Sequence, residues 1–236
     1  MTYYSPKWIL VDFLRHRLTD PRERAETATS DTFTATASQT DFTVTPTTDY
    51  VFACVTSVTD NGSTMSKNED YYVDLKNKKV IFFSGRTEGH TIIVNYKEGT
   101  KNWIVPTKPH EKLNRTNFPR ISIKTISAPG KRLGNYQSDV EYLFHFQIDI
   151  WVKQVKEGEI FTIGGSKYGG NDLSEYLASE VIQAFKDHVS DLHPALYDYD
   201  PINGPKDMPF NTEYEWYHKI VEVRLKGVNS WTVDWK

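Results

Sequence analysis

At 236 residues, with a net charge of −3 and a pI near 6.2, the chain can hold one large domain or two small ones. That charge excludes a globally basic nucleic-acid coat and a halophile-type acidic surface. The lone Cys54 excludes internal disulfides and a Cys-rich zinc site. Aromatic residues make up 14%, including 14 Tyr and 6 Trp, which suits a β-rich protein with adhesive surfaces.

Polar residues interleave the first apolar ones without a signal-peptide pattern, and no apolar run approaches the roughly 18 residues of a membrane span. The expectation is a soluble protein made in a cytoplasm. Ser5 and Pro6 suit a helix cap and first turn. Leu10, Val11, Leu14 and Leu18 form an inward stripe, and Asp20-Pro21 ends the helix.

Composition then shifts. Eleven Thr and three Ser fall within residues 31–65, favouring strands and turns over helix. Strands are predicted at 42–45, 50–58, 71–75, 79–83 and 91–96, with turns at Asp60-Asn61-Gly62 and Lys76-Asn77-Lys78. Residues 31–99 thus read as an inserted all-β, sandwich-like module that folds on its own. A carbohydrate-binding role for it would need Tyr71, Tyr72 or Phe83 exposed. The run Gly-Arg-Thr-Glu-Gly-His at 85–90 lacks the Gly-Lys-Ser/Thr of a phosphate loop and reads as a hairpin turn.

Residues 101–132 carry eight cations, Lys101, Lys108, Lys112, Arg115, Arg120, Lys124, Lys131 and Arg132, against one acid, Glu111. Four prolines make much of this tract extended loop. A short strand at 120–126 alternates Ile121 and Ile123 with Ser122 and Lys124, and Ala128-Pro129-Gly130 is read as a turn. The charge fits a solvated arm, docking on an acidic partner face, or contact with a passing DNA backbone.

Residues 140–152 are the most regular stretch of the chain. Val140, Tyr142, Phe144, Phe146, Ile148, Ile150 and Val152 alternate with Glu141, Leu143, His145, Gln147, Asp149 and Trp151. A period of two over this length is a strand of roughly 40 Å with one face in a core. Leu143, His145, Gln147 and Trp151 leave the other face too apolar for full solvation, so they are candidates for a contact between subunits.

A glycine-rich loop follows, with a further short strand expected near Phe161 or Trp103. Asp172 and Glu175 then outline a capping box, and Leu173, Leu177, Val181, Phe185, Val189 and Leu192 form the stripe of a second helix. Residues 193–211, with four prolines, read as a long irregular segment. A last strand at 214–226 places Tyr217, Val221, Val223 and Leu225 on one side.

Catalytic signals are weak. Asp149, Trp151 and Lys153 share a strand face as in restriction-type nucleases, but the second acid such a metal site needs is missing. His188 and His193 read as surface residues and Cys54 as a buried structural one. The expectation is therefore a non-enzyme with no cofactor and no metal.

The strand Phe118-Pro119-Arg120-Ile121-Ser122-Ile123, the loop at Gly134, the strand Phe146-Gln147-Ile148-Asp149-Ile150-Trp151-Val152-Lys153 and the helix after it carry a family likeness. In order and spacing they resemble the tail terminator, or tail completion, proteins of long-tailed bacteriophages. The likeness covers residues 1–20 and 100–236; the insert departs from compact members, and its hairpin at 70–83 is similar to β-modules of phage tail and baseplate parts. The resemblance implies an α+β fold, a mixed and mostly antiparallel sheet with two flanking helices formed by 1–30 and 100–236, carrying the module at 31–99. It also implies a virion role: a homo-hexameric ring that caps the tail tube, ends its polymerisation and joins the neck or connector protein. Genome DNA would pass through without sequence-specific binding, and no membrane is involved. Another neck or tail-tube part is the alternative. Lys108, Lys112, Arg115, Arg120, Lys124, Lys131 and Arg132 are then the candidate partner-docking tract.

Overall fold

The computed structural model describes residues 6–24, 26–47, 51–99, 103–106, 118–132, 140–154, 160–192, 196–213 and 215–228. The fold is α+β, with mostly antiparallel sheets and two helices. Helix α1 is Pro6–Arg17. Its Ile9, Leu10, Val11, Asp12, Phe13 and Leu14 are all buried, more than the predicted stripe, because the helix is covered on two sides.

One side belongs to a β-rich module whose strands lie between residues 26 and 99. Strands β1 (Glu26–Thr34), β3 (Val51–Asp60), β4 (Ser63–Met65) and β7 (Thr91–Gly99) form one sheet in the order β1-β7-β3-β4. Strands β2 (Asp41–Thr43), β5 (Tyr71–Asp74) and β6 (Lys79–Phe82) form another in the order β2-β6-β5. Phe33 of the first sheet meets Phe42 of the second with ring centroids 5.5 Å apart.

Three expectations for the module are corrected. Its first strand starts before residue 31, since Glu26 pairs with Gly99 and the register runs unbroken to Thr34 with Thr91. This strand is mostly exposed and so lacks the apolar alternation that would have marked it. Residues 85–90 do not close a hairpin; they cross from β6 to β7 in the other sheet, and a Cβ on Gly85 would stand 2.8 Å from the Ser38 backbone. Nor does the module stand apart. Arg15 of α1 donates to the carbonyls of Ile104 at 2.8 Å and Ala53 at 2.8 Å, His16 sets Nε2 2.8 Å from the Val55 carbonyl, and Lys67 pairs with Asp12. The apolar core runs continuously from the module through α1 into the main sheet.

The main sheet lies on the other side of α1. It contains β8 (Ile104–Val105), β9 (Arg120–Ser127), β10 (Gly130–Arg132), β11 (Val140–Lys153), β14 (Leu196–Asn211) and β15 (Trp216–Val228). The order is β14-β15-β11-β9-β8, with β10 also on β11; only the β8–β9 pair is parallel among these strands. Ala128-Pro129-Gly130 does not reverse the chain. Ser127 sits opposite His145 and Gly130 opposite Tyr142, so β10 prolongs β9 along the same partner. Proline lacks the N–H of a ladder bond but is tolerated at a sheet edge.

Between β11 and the second helix, β12 (Phe161–Ile163) and β13 (Ser166–Tyr168) make a hairpin. Gly164 and Gly165 have φ of 56° and 83°, the left-handed conformation a two-residue turn requires. Helix α2 is Gly170–His188, starting two residues earlier than the expected cap. Its N-cap is Gly169 with no side-chain cap bond, so Asp172 lies inside the first turn, where it favours the positive helix end, and the capping box does not form. Leu173, Leu177, Val181 and Phe185 are buried as expected, and Phe185 meets Phe13 of α1 at 5.2 Å.

Residues 193–211 hold the largest surprise. From Leu196 to Asn211 they form an edge strand against β15, with four register shifts. An edge strand bonds on one side only, which is where Pro201, Pro205 and Pro209 can be accommodated. No helix among the described residues is long and apolar enough to cross a membrane.

Two outcomes follow from the junction at α1. Arg15→Met leaves three backbone carbonyls (those of Phe52, Ala53 and Ile104) without their charged donor, and urea unfolding should show a loss of about 1–3 kcal/mol. Burial alone would raise the Asp12 carboxyl, but Lys67, His16 and Arg15 hold it below its ordinary value. A depressed carboxyl stabilises the fold fully above the ordinary carboxylate range and loses that effect as pH falls through its folded value. Asp12→Asn should therefore melt below wild type at neutral pH, with the gap closing under acid below about pH 4.

Candidate functional site

Both helices cover the same face of the main sheet. Phe144, Phe146, Ile148, Ile150 and Val152 of β11 point there with Val221, Val223 and Leu225 of β15 and Ile121 and Ile123 of β9. The opposite, helix-free face carries the candidate interface residues. In register, Arg120, Ser122 and Lys124 of β9 stand opposite Trp151, Asp149 and Gln147 of β11, which in turn stand opposite His218, Ile220 and Glu222 of β15.

Trp151 does not wait for a neighbouring subunit. It is 5% exposed and packs with Phe118 and Trp216, the Trp–Trp centroids being 5.1 Å apart. His218 stacks on it at 3.8 Å with the rings 8° from parallel. The indole N–H donates to Ser122 Oγ at 3.0 Å. Its expected role as an exposed subunit contact is corrected, because aromatic side chains from two other segments of the same chain cover it.

Beside Trp151, Asp149 is buried at 5% exposure and bonded from two directions. His218 Nε2 lies 2.7 Å from Oδ1 and Gln147 Nε2 donates to the same oxygen at 2.6 Å, while Lys124 Nζ is 3.9 Å from Oδ2. Its neighbours are thus a cation, an imidazole and an amide, where a metal-binding edge would need a second carboxylate. Among the described residues, no group of three or more His, Cys, Asp or Glu converges on a metal position. Ser122 is 2% exposed and already receives the indole N–H, so it is not a hydroxyl offered to solvent. The arrangement buries a carboxylate beside a cluster of Phe118, Trp151, Trp216 and the His218 ring.

The other candidates divide. Leu143, His145 and Gln147 are half-buried, with His145 Nε2 3.7 Å from Glu222. Lys124 and Lys131 are exposed. Arg120 is half-buried, and its Nε has no hydrogen-bond partner; burial and the nearby Arg24 push its guanidinium below the ordinary value. Arg132 sits opposite Val140. Lys108, Lys112 and Arg115 lie outside the described residues. In the module, Tyr71 and Tyr72 are 3% and 2% exposed and belong to the core, which removes two of the three aromatics a carbohydrate surface would have used.

A separate cleft of about 600 Å³ opens where α1, the turn before β5 and the end of α2 meet, lined in part by Phe13, Arg17, Lys67, Glu69 and Asp191. Its cations are paired within the chain, Arg17 with Asp191 and Lys67 with Asp12. The sequence reading missed His218 and Glu222, and it placed Ser122 on its strand without a role. The signal for the first two was the alternation of the last strand, whose even positions face away from the helices.

No protein-family model, curated protein or solved structure matches this chain.

Because Trp151 is buried inside one chain, Trp151→Ala should cost about 3–5 kcal/mol of the single chain's stability in chemical denaturation, independent of protein concentration. A cost that appears only in an assembled form would contradict this placement.

Proposed function

We propose that this chain is a non-enzymatic structural subunit of a long-tailed bacteriophage, acting as a tail terminator: a ring that caps the tail tube, ends its growth and joins the neck. One observation carries the reading. The Arg-Ile-Ser-Ile strand and the Gln-Ile-Asp-Ile-Trp strand, which bear the family likeness, pair antiparallel at the centre of the main sheet, with Ile121 opposite Ile150 and Ile123 opposite Ile148. Both helices lie on one face of that sheet, the order of elements the likeness implies. The inserted module is an addition to this plan, held to it through α1.

The test is direct. Purified protein incubated with tail tubes and viewed by negative stain should give rings and capped tube ends; tubes that keep growing in its presence would overturn the reading.

The basic tract supplies a second measurement. Exposed ion pairs contribute only about 0–1 kcal/mol each, so single changes there should do little. Reversing Lys108, Lys112 and Arg115 together to Glu should impair joining to the tail or neck in a salt-dependent way, while the isolated protein keeps its melting temperature. Normal virion assembly in a complementation assay would count against docking by this tract.

A further inference from the structure

β8 covers β9 only at Ile121 and Ser122, so the rest of β9 together with β10 forms an open edge of the main sheet, opposite in charge to the far edge. Residues 123–132 on it include Lys124, Lys131 and Arg132 and no acid. Residues 196–211, which form β14 at the far edge, include Asp198, Asp200 and Asp207 against a single Lys206.

Both edges are open to solvent. The residues at 124–127 are exposed, and so are those at 204–210. The Lys124 side chain is 57% exposed, and those of Asp198 and Asp200 are 54% and 64% exposed although each already faces a cation of β15. A carboxylate has lone pairs for further donors, so these pairs do not use up its capacity. Each edge also exposes large apolar side chains, Ile126 on the basic one and Met208 and Phe210 on the acidic one. Apolar centres ringed by charge are the usual make-up of a protein contact.

We propose that copies of this chain associate head to tail, the β9–β10 edge of one copy docking on the β14 edge of the next. This deepens the ring reading above and rests on it. Charge complementarity selects a second copy turned head to tail: two β9–β10 edges, or two β14 edges, would oppose like charges. Pro201, Pro205 and Pro209 lack the N–H groups a shared strand ladder needs, so the contact runs through side chains and not through an added strand.

Two double variants of the full chain test this without tails. Lys124→Glu with Lys131→Glu sets two acids against the single remaining Arg132, so both edges are then net acidic; Asp198→Lys with Asp200→Lys makes both basic. In sedimentation velocity, wild type should form a discrete oligomer, and each variant alone should need about tenfold or more protein to associate. An equimolar mixture of the two variants should recover an oligomer with an even number of subunits, because each interface again joins opposite edges. Circular dichroism melting verifies that each variant is folded. Salt gives an arm without substitutions: raising ionic strength from about 0.05 M to about 0.5 M should weaken wild-type association several-fold. An oligomer indifferent to the reversals, or a mixture that stays dissociated, overturns the edge assignment and leaves the ring reading intact. A monomeric wild type overturns both. Oligonucleotide binding lost in the Lys124→Glu, Lys131→Glu variant with association unchanged would assign the basic edge to nucleic acid and overturn the proposal.

Discussion

Everything in the main sheet is referred to the register of β11. It pairs with β15 from Glu141 to Lys153 and with β9 from His145 to Trp151, so two neighbours fix its position at once. Side chains on a strand alternate between faces, and a slip of one residue would carry Phe144, Phe146, Ile148 and Ile150 out of the core and bring His145, Gln147 and Asp149 in. Burying those polar groups without their partners would cost several kcal/mol each. The same alternation that fills the core with aromatic and branched side chains therefore places the polar network on the far side.

That far side is not one uniform surface. Near the Lys153 end of β11 it is a closed aromatic cluster of Phe118, Trp151 and Trp216, roofed by His218. Toward the Val140 end it becomes half-buried and charged, with His145 beside Glu222 and Lys206 3.0 Å from the same carboxylate. The closed end packs four rings against one another, and the open end and edges present charge.

The parts of the fold that were readable in the sequence are those where burial is one-sided. Residues 140–152 announced a strand because one face is core and the other polar, and the α2 stripe announced itself for the same reason. Where that contrast is absent, sequence reading failed for physical causes. The strand β1 is exposed along most of its length, so nothing marks it as strand, and the module's start was placed too late. The strand β14 carries three prolines, which argue against a central strand but not against an edge. The stacking of Trp151 on His218 joins residues in different elements, and no periodicity within either strand reveals which ring will lie on which. The open sheet face was legible as unusually apolar, but its covering by Phe118 and Trp216 was not.

The position of α1 has a consequence for how the chain acquires its structure. Arg15 bonds to Ile104, which is 89 residues away, and Phe13 packs on Phe185, far later still. During synthesis α1 precedes the elements it packs against, and its apolar sides find their last partners only after α2 has left the ribosome. The module, whose strands all lie between residues 26 and 99, can pair in the meantime and cover one side of the helix early. Contacts of such long sequence separation are slow to form, and an uncovered amphipathic helix is prone to wrong associations while it waits. The strands between residues 26 and 99 are therefore placed to cover one side of α1 before the sheet that completes its burial has been made.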